Sequence, residues 1–210
     1  MKTRSSLLPL SVVLFVLNIS VSCCGKPAPL QQHADTTGNT PLPAPPLSPV
    51  SYLGNGVNLQ PSYYNNGDVD FAWSLMKQQS AIKTVRIEIE PAVDIHMATA
   101  WIRQAKENGY DVIATYHKYT VLGSNNVDDL TDGANWWKQH YDSLASAGSF
   151  IINLMNEWGD HNLASNAYAD AYNQAISTVR EVYNGPIIID CSGWGQETAV
   201  AAGAVNGTGG

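Results

Sequence analysis

Between residues 51 and 202 the chain alternates short β-branched apolar runs with longer stretches whose apolar residues recur at helical spacing. Residues 52–59 read as a first strand containing Gly54, Gly56 and Asn58. Asp68 is the expected N-cap of a helix through Phe71, Trp73, Leu75 and Met76. Residues 82–89 form a β-branched strand that stops before Pro91. A helix carrying Ala98, Trp101, Ile102 and Ala105 follows and ends at Gly109. Residues 110–116 are the third strand, with His117 at its end. A polar loop over 123–132 leads to a helix from about Ala134 to Ala147, stopped by Gly148. The run from Phe150 to Trp158 opens as a buried strand and ends in an amide, a carboxylate and an indole. Residues 163–183 make a long amphipathic helix ended by Asn184-Gly185-Pro186, and 186–190 are a fifth strand.

Strands and helices alternating at roughly 30–40 residues predict βαβ units and a parallel sheet. No glycine-rich phosphate loop follows any strand, which argues against a doubly wound nucleotide binder. Polar and aromatic residues instead gather at strand ends: Asn58, Arg86 to Glu90, His117, Asn156-Glu157 and Asp190 to Trp194. That distribution suits a (β/α)8 TIM barrel, an α/β fold whose site is assembled from many strand termini. A full barrel needs about 250 residues, whereas about 160 follow residue 50. The expected body, 51–210, is therefore the N-terminal part of a barrel, truncated after about the fifth strand.

The first fifty residues differ in kind. Lys2 and Arg4 precede an apolar run from Leu7 to Val16, with Ser20 and Ser22 before Cys23. This is the layout of an export signal over 1–22. Cys23 resembles the lipid-attachment cysteine of bacterial lipoproteins, although Ser20 stands where an aliphatic residue is usual. A secreted or lipid-anchored cell-surface protein is expected, with membrane contact only through Cys23. Residues 23–50 are Pro-rich and read as a disordered linker. Cys24 and Cys191 could pair, but nothing in their spacing demands it, and no metal motif is present.

Eleven Lys+Arg against 18 Asp+Glu give a net charge of -7. Without a basic run or basic-aromatic interleaving, no nucleic-acid partner is expected. Six Trp and ten Tyr against three Phe lean toward stacking on sugar rings, a use those faces share with cores and interfaces.

Two stretches are more specific: Asn153-Leu154-Met155-Asn156-Glu157-Trp158 and Ile189-Asp190-Cys191-Ser192-Gly193-Trp194-Gly195-Gln196. With the Trp136-Trp137 helix and the Tyr168 to Tyr172 helix, they make the body resemble glycoside hydrolase family 5, and within it the bacterial endo-β-1,4-mannanases. The resemblance implies a retaining hydrolase of a β-1,4-linked polysaccharide, β-mannan or β-glucan, with no cofactor and a monomeric complete barrel. It makes Glu157 the general acid/base and Asn156 a ligand of the sugar 2-hydroxyl. It gives Arg86 the orienting of the nucleophilic carboxylate, His117 the subsite around the scissile bond, and Trp194 a sugar platform. Trp158 and Asn58 are weaker substrate contacts. The chemistry agrees, because protonating a glycosidic oxygen at neutral pH needs a carboxylic acid whose pKa is raised.

One departure matters. A retaining pair needs a second carboxylate about 5–5.5 Å away, which in the family comes from a seventh strand, so the chain alone is expected to be inactive. Glu88, Glu90 and Asp190 are conceivable substitutes that no sequence feature favours. A β-1,4-glucanase and a non-catalytic carbohydrate-binding protein remain alternatives.

Overall fold

The computed structural model describes residues 53–205. The stretches read as an export signal and a linker, with Cys23 and Cys24, lie outside the described residues. Five strands, β1 (Asn55–Leu59), β2 (Ile82–Ile89), β3 (Asp111–Tyr116), β4 (Ile151–Asn153) and β5 (Ile187–Ile188), form one sheet in sequential order. Every neighbouring pair is parallel. Helices α1 (Trp73–Met76), α2 (Ile95–Glu107), α3 (Val127–Ala145) and α4 (Ser165–Val179) supply the crossovers. A single turn α5 (Ser192–Gly195) and α6 (Thr198–Val205) follow β5. This is the α/β arrangement expected of a barrel's first five strands.

The register explains how the strand sequences divide. Leu59, Ile87, Ala114, Ile152 and Ile187 lie in one row across the sheet. The last four strands' flanking residues on that face, including Val85, Ile89, Val112 and Tyr116, share the buried core with Ala98, Trp101, Ile102 and Ala105 of α2. The alternate residues face the other way, because side chains reverse at every position of a strand. In one row stand Asn58, Arg86 and Ile113; in the next, Glu88, Thr115 and Asn153. The strands are thus apolar toward the helices and polar on the face a barrel would enclose.

Several predicted boundaries hold for identifiable reasons. β2 covers the residues the β-branched run marks out. α2 is capped by Asp94, whose carboxylate accepts the His96 N–H at 2.7 Å. Past its end, Gly109 takes φ +88°, a left-handed conformation suited to glycine. Others move. Asp68 does not cap a helix: Asp70 Oδ1 accepts the Ala72 N–H at 2.8 Å, Ala72 is itself left-handed, and only the short α1 forms. α3 begins seven residues before the expected start, because Asn126 Oδ1 accepts from the Asp128 N–H and Asp128 and Asp129 occupy the favourable first turn. The polar stretch that reads as loop is therefore the helix's solvent-facing opening. α6 is absent from the sequence reading. It lies across α4, with Gly203 so near Ser165 that an added Cβ would sit 3.0 Å from Oγ.

Three large side chains tie helices and loops to the sheet through their polar tips. Trp137 of α3 is fully buried and its indole N–H donates to the Leu154 carbonyl at 2.8 Å. Trp101 of α2 donates to the Gly67 carbonyl at 3.0 Å. The Tyr183 hydroxyl donates to the Phe150 and Pro186 carbonyls. Each places a broad apolar body in the core while satisfying a backbone acceptor.

Trp137→Phe keeps most of the buried ring but strands the Leu154 carbonyl. It should cost about 1–3 kcal/mol in urea unfolding, and Trp137→Ala about 3–5 kcal/mol. Equal midpoints for Trp137→Phe and the parent would show that this hydrogen bond does not stabilise the fold.

Candidate active site

The polar face of the sheet converges on the Arg86 guanidinium. From the centre of β2 its Nη1 donates to Glu88 Oε1 at 2.7 Å and to Asn58 Oδ1 at 2.9 Å. Nε and Nη2 donate to Asn153 Oδ1 at 3.1 and 2.7 Å. Nη2 also reaches Asn156 Oδ1 at 2.6 Å and Asp190 Oδ2 at 3.4 Å. The planar fork thus engages β1, β2, β4, the end of β4 and the end of β5, which suits arginine and no other cation.

Around it, each acceptor has further donors. Asn58 Nδ2 donates to Glu88 Oε1 at 2.9 Å and Gln60 Nε2 to Glu88 Oε2 at 2.6 Å. The Thr115 hydroxyl donates to Asn153 Oδ1, and Asn153 Nδ2 donates to Asp190 Oδ1 at 3.0 Å. His117 is only 3% exposed; its Nε2 lies 3.5 Å from Glu88 Oε2 and its Nδ1 2.6 Å from Glu90 Oε1. Glu90 Oε1 also accepts the Tyr119 N–H and the Tyr63 hydroxyl, both at 3.2 Å. Burial and the Glu90 carboxylate push the Tyr63 hydroxyl well above the ordinary tyrosine range, so it remains a donor.

Glu157 follows β4 and has φ +51°, an uncommon conformation for a residue with a Cβ. Its backbone N–H donates to Asp190 Oδ2 at 3.2 Å, and its carbonyl accepts the Gly123 N–H at 2.8 Å. Desolvation first, then the negative charges of Asp190 and Glu88, hold the Glu157 carboxyl above its ordinary value; His117 and Arg86 oppose this. A carboxylic acid that keeps its proton beyond the usual range can protonate a leaving oxygen. With Asn156 Oδ1 occupied by Arg86, the same amide keeps its NH2 as the remaining donor beside Glu157.

The loops bearing these groups are laced together. Gly123 N–H donates to the Glu157 carbonyl, Gly159 N–H to Ser124, and Gly193 N–H to Gly159, each at 2.8 Å. All three glycines have positive φ. The Trp194 ring rests over Gly123, where an added Cβ would lie 2.6 Å from a ring carbon. Trp194 is 47% exposed, and the His161 ring lies against it with centroids 5.3 Å apart. His161 Nδ1 meets Glu197 Oε1 at 2.7 Å.

The structure therefore brings Glu157, Asn156, Arg86 and His117 into one cluster, with Trp194 across the Gly123 loop. It corrects the reading of Trp158. That ring is fully buried, donates its N–H to the Asn126 carbonyl at 2.9 Å and packs on Tyr168 and Tyr172. No face is open to a sugar, because the ring is enclosed against α4. His117 likewise presents little surface to a ligand; its ring meets the Glu88 and Glu90 carboxylates and the Tyr63 hydroxyl. Glu88, Asn153 and Asp190 are central to the cluster, although the sequence offered Glu88 and Asp190 only as conceivable substitutes for the nucleophile and gave Asn153 no role. Glu88 had a signal, two positions from Arg86 on the same strand face. Tyr63, brought in by a loop, had none. Among the described residues no group of three or more His, Cys, Asp or Glu is disposed to hold a metal ion.

The family model described as cellulase (glycosyl hydrolase family 5) matches residues 71–207. No curated protein matches the sequence. Among solved structures, the fold is similar to a β-mannanase from Streptomyces thermolilacinus, at 18% identity and TM-score 0.59, over 74% of this chain and 54% of that one. It is similar to a mannohexaose complex of Thermomonospora fusca β-mannanase, at 18% identity and TM-score 0.60, over 74% and 55%. An endoglucanase from Thermotoga maritima matches at 22% identity and TM-score 0.54, over 71% and 55%. The chain thus spans about half the length of the solved structures it resembles. The match to the family model across most of the folded body, on a sheet whose carboxyl ends gather this cluster, establishes that the chain belongs to glycosyl hydrolase family 5.

Proposed function

We propose that the protein is the proton-donor half of a retaining endo-β-1,4-glycanase that acts on β-mannan, with Glu157 as general acid/base. The observation that carries this reading is the Glu157 carboxyl, desolvated and flanked by Asp190 and Glu88, so that it stays protonated beyond the ordinary range. Glu157 protonates the glycosidic oxygen as the bond to the anomeric carbon breaks, then removes a proton from the water that releases the glycosyl intermediate. Asn156 donates to the 2-hydroxyl, a bond that strengthens as the ring approaches the oxocarbenium-like transition state. Arg86 holds Asn156 in place for that task and carries the positive charge that orients the nucleophile. The nucleophilic carboxylate belongs to a strand beyond the five described. Glu88 is an unsuitable stand-in, since Arg86, Asn58 and Gln60 occupy its oxygens. Trp194 offers a sugar platform through its exposed face.

Mannan is favoured over cellulose by the β-mannanases among the similar folds; the endoglucanase supports the second reading, a β-1,4-glucanase. Reducing-sugar release by a protein carrying the complete barrel should be faster on mannan than on carboxymethyl cellulose. Faster release from cellulose would assign the glucanase, and release from neither would favour a non-catalytic sugar-binding protein.

In that complete protein Glu157→Gln should lower turnover of mannan by roughly 10²–10⁴-fold with substrate binding largely retained. Unchanged turnover would remove Glu157 from the acid role. The pH profile supplies a separate check. Because the acid must carry its proton and its pKa is raised, kcat/KM should fall only as pH rises through a value above that of an ordinary glutamate, about 4.3. An alkaline limb at that ordinary value would mean the site does not perturb Glu157.

A further inference from the structure

We propose that Asp190 is a positioning residue for the acid/base: its carboxylate holds the left-handed Glu157 peptide in place and sets a negative charge beside the Glu157 side chain. The assignment rests on the reading of Glu157 given above, yet stands on separate geometry.

Asp190 lies two residues past Ile188 of β5, on the face shared with Glu88, Thr115 and Asn153. Each oxygen has its own work. Oδ1 accepts from Asn153 Nδ2 at 3.0 Å, which fixes the carboxylate plane against β4. Oδ2 accepts the Glu157 N–H at 3.2 Å. The Asp190 carbonyl accepts the Tyr168 hydroxyl of α4, which anchors the backbone behind it. A non-glycine residue at φ +51° is held only where its surroundings over-determine it. At Glu157 those surroundings are two bonds, Asp190 on the N–H and Gly123 on the carbonyl. Asp190 is the only side chain of the pair, and it is charged, which strengthens the bond.

The same placement acts on the proton. The charged groups facing Glu157 are Arg86 and Glu88 from β2, His117 from the end of β3, and Asp190 from the end of β5. Arg86 is closer to Glu88, at 2.7 Å, than to Asp190, at 3.4 Å. The guanidinium is shared, so Asp190 remains incompletely neutralised toward Glu157. Ionising Glu157 would add a carboxylate beside Asp190 and Glu88, and after desolvation Asp190 opposes that ionisation most. One side chain thereby both shapes the acid's backbone and keeps its proton available.

The test is NMR titration of the isotopically labelled chain, following the Glu157 side-chain carboxyl carbon and its amide proton. Asp190→Asn keeps an oxygen for the Glu157 N–H but removes the charge; Asp190→Ala removes both. The carboxyl midpoint should move to lower pH in both variants. The amide proton should keep its hydrogen-bonded downfield shift in Asp190→Asn and lose it in Asp190→Ala. An unmoved midpoint in Asp190→Asn, or an unmoved amide resonance in Asp190→Ala, would overturn the assignment. Should either variant fail to fold, the unaltered chain decides. Its Glu157 amide proton should respond to a second carboxyl titration besides its own, and a single-step response would refute the contact. Turnover is not read, so an active Glu157→Gln would sink the acid role while leaving this result intact.

Discussion

One guanidinium organises the polar side of this sheet. Arg86 reaches acceptors contributed by four of the five strands and their ends, so the carboxyl ends of the strands cannot move independently. Such a cluster would be costly if any member were removed, because each buried polar atom depends on its neighbours for satisfaction. Its value is geometric. It presents Asn156 and Glu157 in one orientation before any ligand arrives, and pre-organised polar groups need no rearrangement as charge develops.

The division of labour between the two faces follows from strand periodicity. Leu59, Ile87, Ala114, Ile152 and Ile187 bind the sheet to its helices, while the residues between them assemble the cluster. Charge acts on the same group: desolvation first, then the carboxylates of Asp190 and Glu88, outweigh His117 and Arg86 and make Glu157 a reluctant anion.

The sequence made the strands legible because local pattern decides them. β2 is a continuous β-branched run bounded by Pro91, and its limits could be read directly. The start of α3 was obscured because Asn126, Asp128 and Asp129 have loop-like composition while serving as cap and first turn. Trp158 reads as a sugar contact because an Asn-Glu-Trp run carries no sign that its indole packs on Tyr168 and Tyr172 of the following helix. The bond between Asp190 and the Glu157 N–H was likewise unmarked. The polar partnership of Glu88 with Arg86 was nearer the surface of the sequence, since two-residue spacing on a strand implies one face.

The glycine contacts that join the loops after β3, β4 and β5 have a consequence for how such a mouth can vary. Gly123, Gly159 and Gly193 each donate to a neighbouring loop from a backbone shape that side chains resist. The three loops therefore behave as one plate carrying Glu157 at its edge and Trp194 on its surface. Lengthening any single loop would shift the aromatic face and the acid together. The surface of this mouth is thus more readily altered by exchanging side chains on the plate than by recutting the loops that compose it.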